Sequence, residues 1–164
     1  MRVMMHTRSL YLLRHAKAES ANLQSLDEDR TLTTRGIDDA KKLAIKLIKK
    51  EIRFDLILTS PAIRAITTAQ IISNQLDHKQ RFLEVDKKLY QADCTTLLTI
   101  ASKLHKKIKS VMLVGHNPAL EDFAAYMTGE SVSMQTCSLI EFTFELKDWK
   151  DFEKVRSVQM KLLN

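Results

Sequence analysis

Glycine and proline are scarce, at three and two in 164 residues. That leaves little room for flexible linkers, and no repeat or low-complexity tract is present, so a single domain is expected. Each Gly or Pro should sit where backbone geometry requires it. The two cysteines, Cys94 and Cys137, lie far apart without a CxxC pattern. They give poor support for zinc or a disulfide framework and read as free thiols in a reducing compartment. No apolar run approaches the ~20 residues of a membrane span. The first, at 10–13, is shorter than the roughly 7–15 residues of a secretory signal core. The expectation is a cytoplasmic protein without membrane contact, with 1–9 as an extension and 10–164 as the domain.

Apolar residues make up 45% of the chain, enough for a domain that buries roughly 70% of its unfolded surface without a metal or disulfide staple. Lys and Arg outnumber Asp and Glu by 26 to 20, for a net charge of +6. The densest basic run, 103–109, carries no aromatic residue for base stacking. It reads as a solvated helix face and not as a nucleic-acid surface. A positive field still favours a phosphorylated or acidic partner.

Short apolar runs alternate with helical periodicities. Strands are expected at 10–13, 54–59, 81–85 and 111–114, and helices at 34–50, 62–76, 96–108 and 118–127. On the first helix Ile37, Ala40, Leu43, Ala44, Leu47 and Ile48 form one apolar face, and on the second Ile66, Ala69 and Ile72 point inward. Thr128-Gly129 should end the fourth helix. Residues 139–146 alternate apolar and polar as an edge or half-buried strand would, and 155–162 do so more weakly. The order implies an α/β fold, a three-layer sandwich whose mainly parallel central sheet is flanked by helices.

The chemistry gathers where apolar runs end. Arg14-His15 follows the first run, and His116 follows Val111-Met112-Leu113-Val114-Gly115. In open α/β sheets reactive groups collect beyond the carboxyl ends of strands. Thr59-Ser60-Pro61 and His116-Asn117-Pro118 each join a strand to a helix, with Ser60 and Asn117 as expected N-caps and the prolines at the first helical position. Helix N-termini there suit an anion. Arg14 and Arg64 have guanidinium forks shaped for phosphate, unless each is neutralised by a carboxylate such as Asp55 or Glu19. His15 alone fits a buried core histidine equally well; Arg14 beside it changes that, since a buried arginine needs an anion. A metal at His15 and His116 lacks a third ligand, and the arginines would repel the cation. Ser60 lacks the GxSxG turn of a serine nucleophile.

Four blocks in order, Leu12-Leu13-Arg14-His15-Ala16, Leu32-Thr33-Thr34-Arg35-Gly36, Thr59-Ser60-Pro61-Ala62-Ile63-Arg64-Ala65-Ile66-Thr67 and Val114-Gly115-His116-Asn117-Pro118, resemble the histidine phosphatase superfamily, and within it the short SixA-type phosphohistidine phosphatases. The resemblance implies a phosphoglycerate-mutase-like fold and a His15 that becomes phosphorylated. It also implies a phosphate pocket completed by Arg14, Arg64 and a protonated His116, working without metal or cofactor. The physics agrees. A nucleophilic imidazole needs one free nitrogen, so a backbone acceptor should hold the other N–H. Lys17 and Asn117 flank the blocks as further candidates for substrate contact, and Thr67 is expected to pack beneath Arg64.

Two departures bear on substrate. Many relatives carry a glutamate after the third strand that protonates a leaving oxygen; here that stretch reads Lys88-Leu89-Tyr90-Gln91-Ala92. Asp93, Glu19 and Glu121 are the candidate replacements. The segment 76–111 holds only a strand and a helix, leaving no cap domain over the pocket. Both departures favour a P–N bond on a histidine-phosphorylated protein, such as a phosphotransfer or phosphocarrier domain. The alternatives are a broad-specificity small-molecule phosphomonoesterase and a phosphate-binding module with poor turnover; a mutase and a nucleic-acid binder rank lower.

Overall fold

The computed structural model describes residues 6–155 and 159–164. Its described residues form an α/β fold around a six-stranded mixed sheet of order β3-β2-β4-β1-β5-β6. The strands are β1 (Thr7–Arg14), β2 (Leu56–Thr59), β3 (Leu83–Val85), β4 (Ser110–Gly115), β5 (Leu139–Glu145) and β6 (Gln159–Leu162). The helices are α1 (Thr34–Lys49), α2 (Ile63–Gln75), α3 (Cys94–Ser102) and α4 (Ala119–Thr128). The expected mainly parallel sheet is found only in part. β3, β2, β4 and β1 pair in parallel, whereas β5 runs antiparallel to both β1 and β6. No helix among the described residues is long and apolar enough to cross a membrane.

Each sheet face has its own core. Leu43, Ala44 and Leu47 of α1, with Ala65, Ala69 and Ile72 of α2, pack on Tyr11, Leu13, Ile57, Met112 and Val114. On the other face α3, α4 and a 3-10 segment (Trp149–Lys154) place Leu97, Ile100, Phe123, Trp149 and Phe152 on Leu10, Leu12, Val111, Leu113 and Phe142. Alternation of strand side chains sends neighbours to opposite cores. Ile37 and Ile66 are only half-buried and Ile48 is exposed, so those predicted inward positions are the margins of their helices.

Three elements depart from the sequence reading. β1 begins at Thr7, taking in residues assigned to an extension, because Arg8 is buried and anchors the strand. Its guanidinium donates to the carbonyls of Ile108, Lys106 and Lys147 and stacks on Trp149. The same bonds explain why 103–109 is not helical. α3 stops at Ser102, and the carbonyls of Lys106 and Ile108 turn toward Arg8 instead of continuing the helix. β5 is half-buried as its alternation implies, but it is interior, with β6 outside it. Residues 156–158 of the expected last strand lie outside the described residues. Gly129, at φ 76°, ends α4 in the left-handed conformation that glycine adopts freely.

Between α2 and β4 the chain forms only β3, α3 and two short 3-10 turns. The register then sets the site. Arg14 pairs with Gly115 and Thr59 with Val114, so β1, β4 and β2 end in one row. The chain reverses its order across β1 and β4, the crevice where open sheets bind ligands.

Candidate active site

His15 follows β1 directly, and its backbone N–H donates to the Gly115 carbonyl at 3.1 Å. The ring is 8% exposed. Its Nδ1 lies 2.7 Å from the Ala16 carbonyl, while its Nε2 faces Arg64 Nε at 3.3 Å. A guanidinium only donates, so Nε2 accepts and Nδ1–H donates to Ala16. One tautomer is thereby selected, with the Nε2 lone pair directed at Arg64.

His116, after β4, stands 5.1 Å from His15 between ring centroids. Its Nδ1 is 3.4 Å from Arg64 Nη2, and its Nε2 is 2.7 Å from Ser60 Oγ. By the same reasoning Nε2–H donates to Ser60 and Nδ1 carries the lone pair. Burial pushes the His15 pKa down to about 4, with Arg64, Arg14 and Arg30 adding to the effect against the Ala16 hydrogen bond. Burial also pushes His116 down to about 3, helped by His15 and Arg64. Without a bound anion both rings are driven toward the neutral form, because two imidazolium ions beside a guanidinium would be uncompensated.

Arg64 lies in the first turn of α2 and is buried, with its fork between the histidines. Arg14 is half-buried. Its Nη1 donates to the Met134 carbonyl at 2.9 Å, and its Nε is buried without a partner. Neither arginine pairs with Asp55 or Glu19. Arg64 pairs instead with Asp27, 2.9 Å from Nη2, in a 3-10 turn (Asp27–Asp29). Asp55 accepts from the backbone of Lys109 and Ser110.

The remaining predicted positions separate. Lys17 is exposed, and its side chain makes no hydrogen bond or ion pair among the described residues. What brings it to the site is its backbone: its carbonyl takes Thr33 N–H at 2.9 Å and Thr33 Oγ1 at 3.2 Å. A Cβ on Gly36 would meet that carbonyl oxygen at 2.1 Å, so the Thr33-to-Gly36 block seats the post-β1 loop against the α1 N-terminus. Asn117 donates to Met134 O at 2.9 Å, the carbonyl that also receives Arg14, so it braces Arg14's anchor. Neither expected N-cap holds. Ala62 and Pro118 occupy the cap positions, and Ser60 is committed to His116. Thr68, not Thr67, ties α2 to the site, accepting from Ala16 N at 3.0 Å and donating to Arg64 O at 2.7 Å.

None of the three candidate acids reaches the pocket in a free state. Asp93 caps α3, Glu121 accepts from Met134 N, and Glu19 is exposed with its backbone engaged, its carbonyl by Arg30 and its N–H by the Thr31 carbonyl. The carboxylate at the mouth is Asp27, whose Oδ2 also accepts from Tyr90 OH at 2.8 Å. Sequence reasoning missed both. The one available signal was Tyr90 standing in the stretch where a glutamate was sought.

Two histidines and two arginines thus gather at the carboxyl ends of parallel strands, a basic cluster whose chemistry suits an anion. The model of the histidine phosphatase superfamily (branch 1) matches residues 10–94. The chain belongs to that superfamily. An uncharacterised chloroplastic protein of Arabidopsis thaliana is 32% identical over 140 residues, 80% of this chain and 64% of its own length. The human mitochondrial serine/threonine-protein phosphatase PGAM5 is 37% identical over 70 residues, 43% of this chain and 24% of its own length. The chain thus spans less than two thirds of these relatives. Among solved structures, a candidate phosphohistidine phosphatase SixA of Agrobacterium tumefaciens superposes with a TM-score of 0.75 at 32% identity, over 82% of this chain and 91% of that one. A protein histidine phosphatase SixA complexed with tungstate gives 0.78 at 22% identity, over 93% and 94%, and shows the shared fold.

Proposed function

We propose that the chain is a metal-independent phosphatase that hydrolyses phosphohistidine on a partner protein through a phospho-His15 intermediate. The observation that carries this reading is the His15 tautomer set by its two partners: Nδ1–H donates to the Ala16 carbonyl, and the Nε2 lone pair accepts from Arg64 Nε, a contact that attack on phosphorus would exchange for the new bond. His15 Nε2 forms the new P–N bond as the substrate's P–N bond breaks, its electron pair returning to the substrate nitrogen. Arg14 and Arg64 neutralise the phosphoryl oxygens as charge moves in the transition state. An arriving dianion raises the basicity of His116 Nδ1, which then takes a proton and donates to an oxygen. Water hydrolyses phospho-His15 in the second step. Between α2 and β4 only β3, α3 and two 3-10 turns are present, with no added cap domain, which suits a side chain on a folded partner as substrate.

Hydrolysis of phosphate esters is a second reading, favoured by the likeness to a serine/threonine-protein phosphatase. A phosphate-binding module with poor turnover is the third. Phosphate release from a histidine-phosphorylated phosphocarrier domain and from p-nitrophenyl phosphate, both with chelator, separates them. Chelator-resistant release from the protein substrate, abolished by His15→Ala, is the expected result. Faster turnover of the ester would favour the second reading, and binding of inorganic phosphate without turnover the third.

A further inference from the structure

Asp27 and Tyr90 take no part in the steps above, yet they close one side of the mouth. The Asp27 carboxylate accepts from Arg64 Nη2 at 2.9 Å, Tyr90 OH at 2.8 Å and Arg30 Nε at 2.9 Å. Its backbone carbonyl accepts Arg64 Nη1 at 2.7 Å. The same Arg64 Nη2 approaches His116 Nδ1, and the Tyr90 ring stands edge-on to His116 at 5.7 Å. One guanidinium therefore separates this carboxylate from the phosphate pocket. Its side chain is 48% exposed. A carboxylate offers about four acceptor positions, so one remains open there. The Tyr90 hydrogen bond, with the Arg64 contact, holds the carboxyl down at about 2. Asp27 is ionised at neutral pH and cannot protonate a leaving group; it can accept an N–H and offset a positive charge.

We infer that Asp27, held in place by Tyr90, is a specificity-determining residue that favours phosphoryl transfer from a ring-protonated phosphoimidazole over transfer from an oxygen ester. This rests on the phosphohistidine reading. A phosphorylated imidazole protonated on its far nitrogen has a cationic ring. When its P–N bond breaks, the electron pair stays on the near nitrogen, His15 Nε2 takes the phosphoryl group, and neutral imidazole departs with the far N–H in place. No proton moves. A carboxylate accepting that N–H raises the share of bound substrate in the protonated, reactive form, which enters kcat/KM. An ester oxygen leaves with negative charge, and the same carboxylate opposes it.

Phosphoimidazole and p-nitrophenyl phosphate, assayed with wild type, Asp27→Asn, Asp27→Glu and Tyr90→Phe, test this directly. In Asp27→Asn the P–N to P–O ratio of kcat/KM should fall roughly 10-fold or more, the scale of a lost charge-assisted hydrogen bond. Asp27→Glu should restore part of the ratio, and Tyr90→Phe should lower it by a few-fold. Equal falls on both substrates would overturn the inference, leaving Asp27 as a brace for Arg64 and the phosphohistidine reading intact. Wild type that hydrolyses the ester but not phosphoimidazole would overturn both.

Discussion

Acidification should destabilise this protein through its own active site. Both histidines have folded-state pKa values below the 6.5 of a free imidazole, near 4 for His15 and 3 for His116. Between about pH 6.5 and 4 the unfolded chain therefore binds more protons than the folded one, and stability falls as pH drops through that window. Above about pH 6.5 the contribution is fully present. At about pH 5 the gap of about 1.5 pH units costs about 2 kcal/mol for His15. His116 is half-buried and adds a smaller share after solvent screening, for a total of about 3 kcal/mol. That is a large part of the roughly 5–15 kcal/mol that holds a domain of this kind together. Urea denaturation at about pH 7.5 and 5, on wild type and on a His15→Asn/His116→Asn double variant, measures it. Wild type should lose about 3 kcal/mol more than the variant. Equal losses would mean that neither ring is held neutral, and the argument for a neutral nucleophile would fail with it.

Two substitutions probe how the scaffold holds that nucleophile. Gly36→Ala should destabilise the protein by about 2–4 kcal/mol despite the usual gain of alanine in a helix, because its Cβ displaces the Lys17 carbonyl and two hydrogen bonds with it. Thermal melting would show a fall of roughly 5–15 °C, and an unchanged or raised Tm would refute the close-approach account. Thr68→Val keeps the shape but leaves the Ala16 N–H without its acceptor, costing about 1–3 kcal/mol. It should also lower kcat, since Ala16 carries the carbonyl that orients His15; wild-type stability and kcat together would contradict this.

The strand ends were legible because parallel strands buried on both faces read as unbroken apolar runs, and each chemical block begins where a run stops. Register, not sequence, shows why the blocks meet: Arg14 lies opposite Gly115 and Thr59 opposite Val114. The 103–109 run misled because Leu104 and Ile108 keep helical spacing while facing the core from a turn, with the carbonyls around them directed to Arg8. Position beside β1 was invisible in β5, since period-two alternation reports a half-buried face and says nothing about which neighbours pair. Ser60 and Thr68 were hidden by a different ambiguity. Ser60 read as a helix-start residue and the packing role fell to Thr67 instead of its neighbour, and only the folded distances reveal Ser60 holding His116 and Thr68 bridging Ala16 to Arg64. Asp27 sits in a polar loop with no periodicity, so nothing local distinguishes it from Glu28 or Asp29.

The central claim is that His15 carries the phosphoryl group. Rapid mixing with a phosphoryl-imidazole donor, alkaline quench and peptide mass spectrometry tests it most directly. One acid-labile phosphoryl group is expected on His15, forming and decaying at rates compatible with turnover, and none in His15→Ala. Phosphate release at full rate with no adduct, or with the adduct on His116, would contradict it.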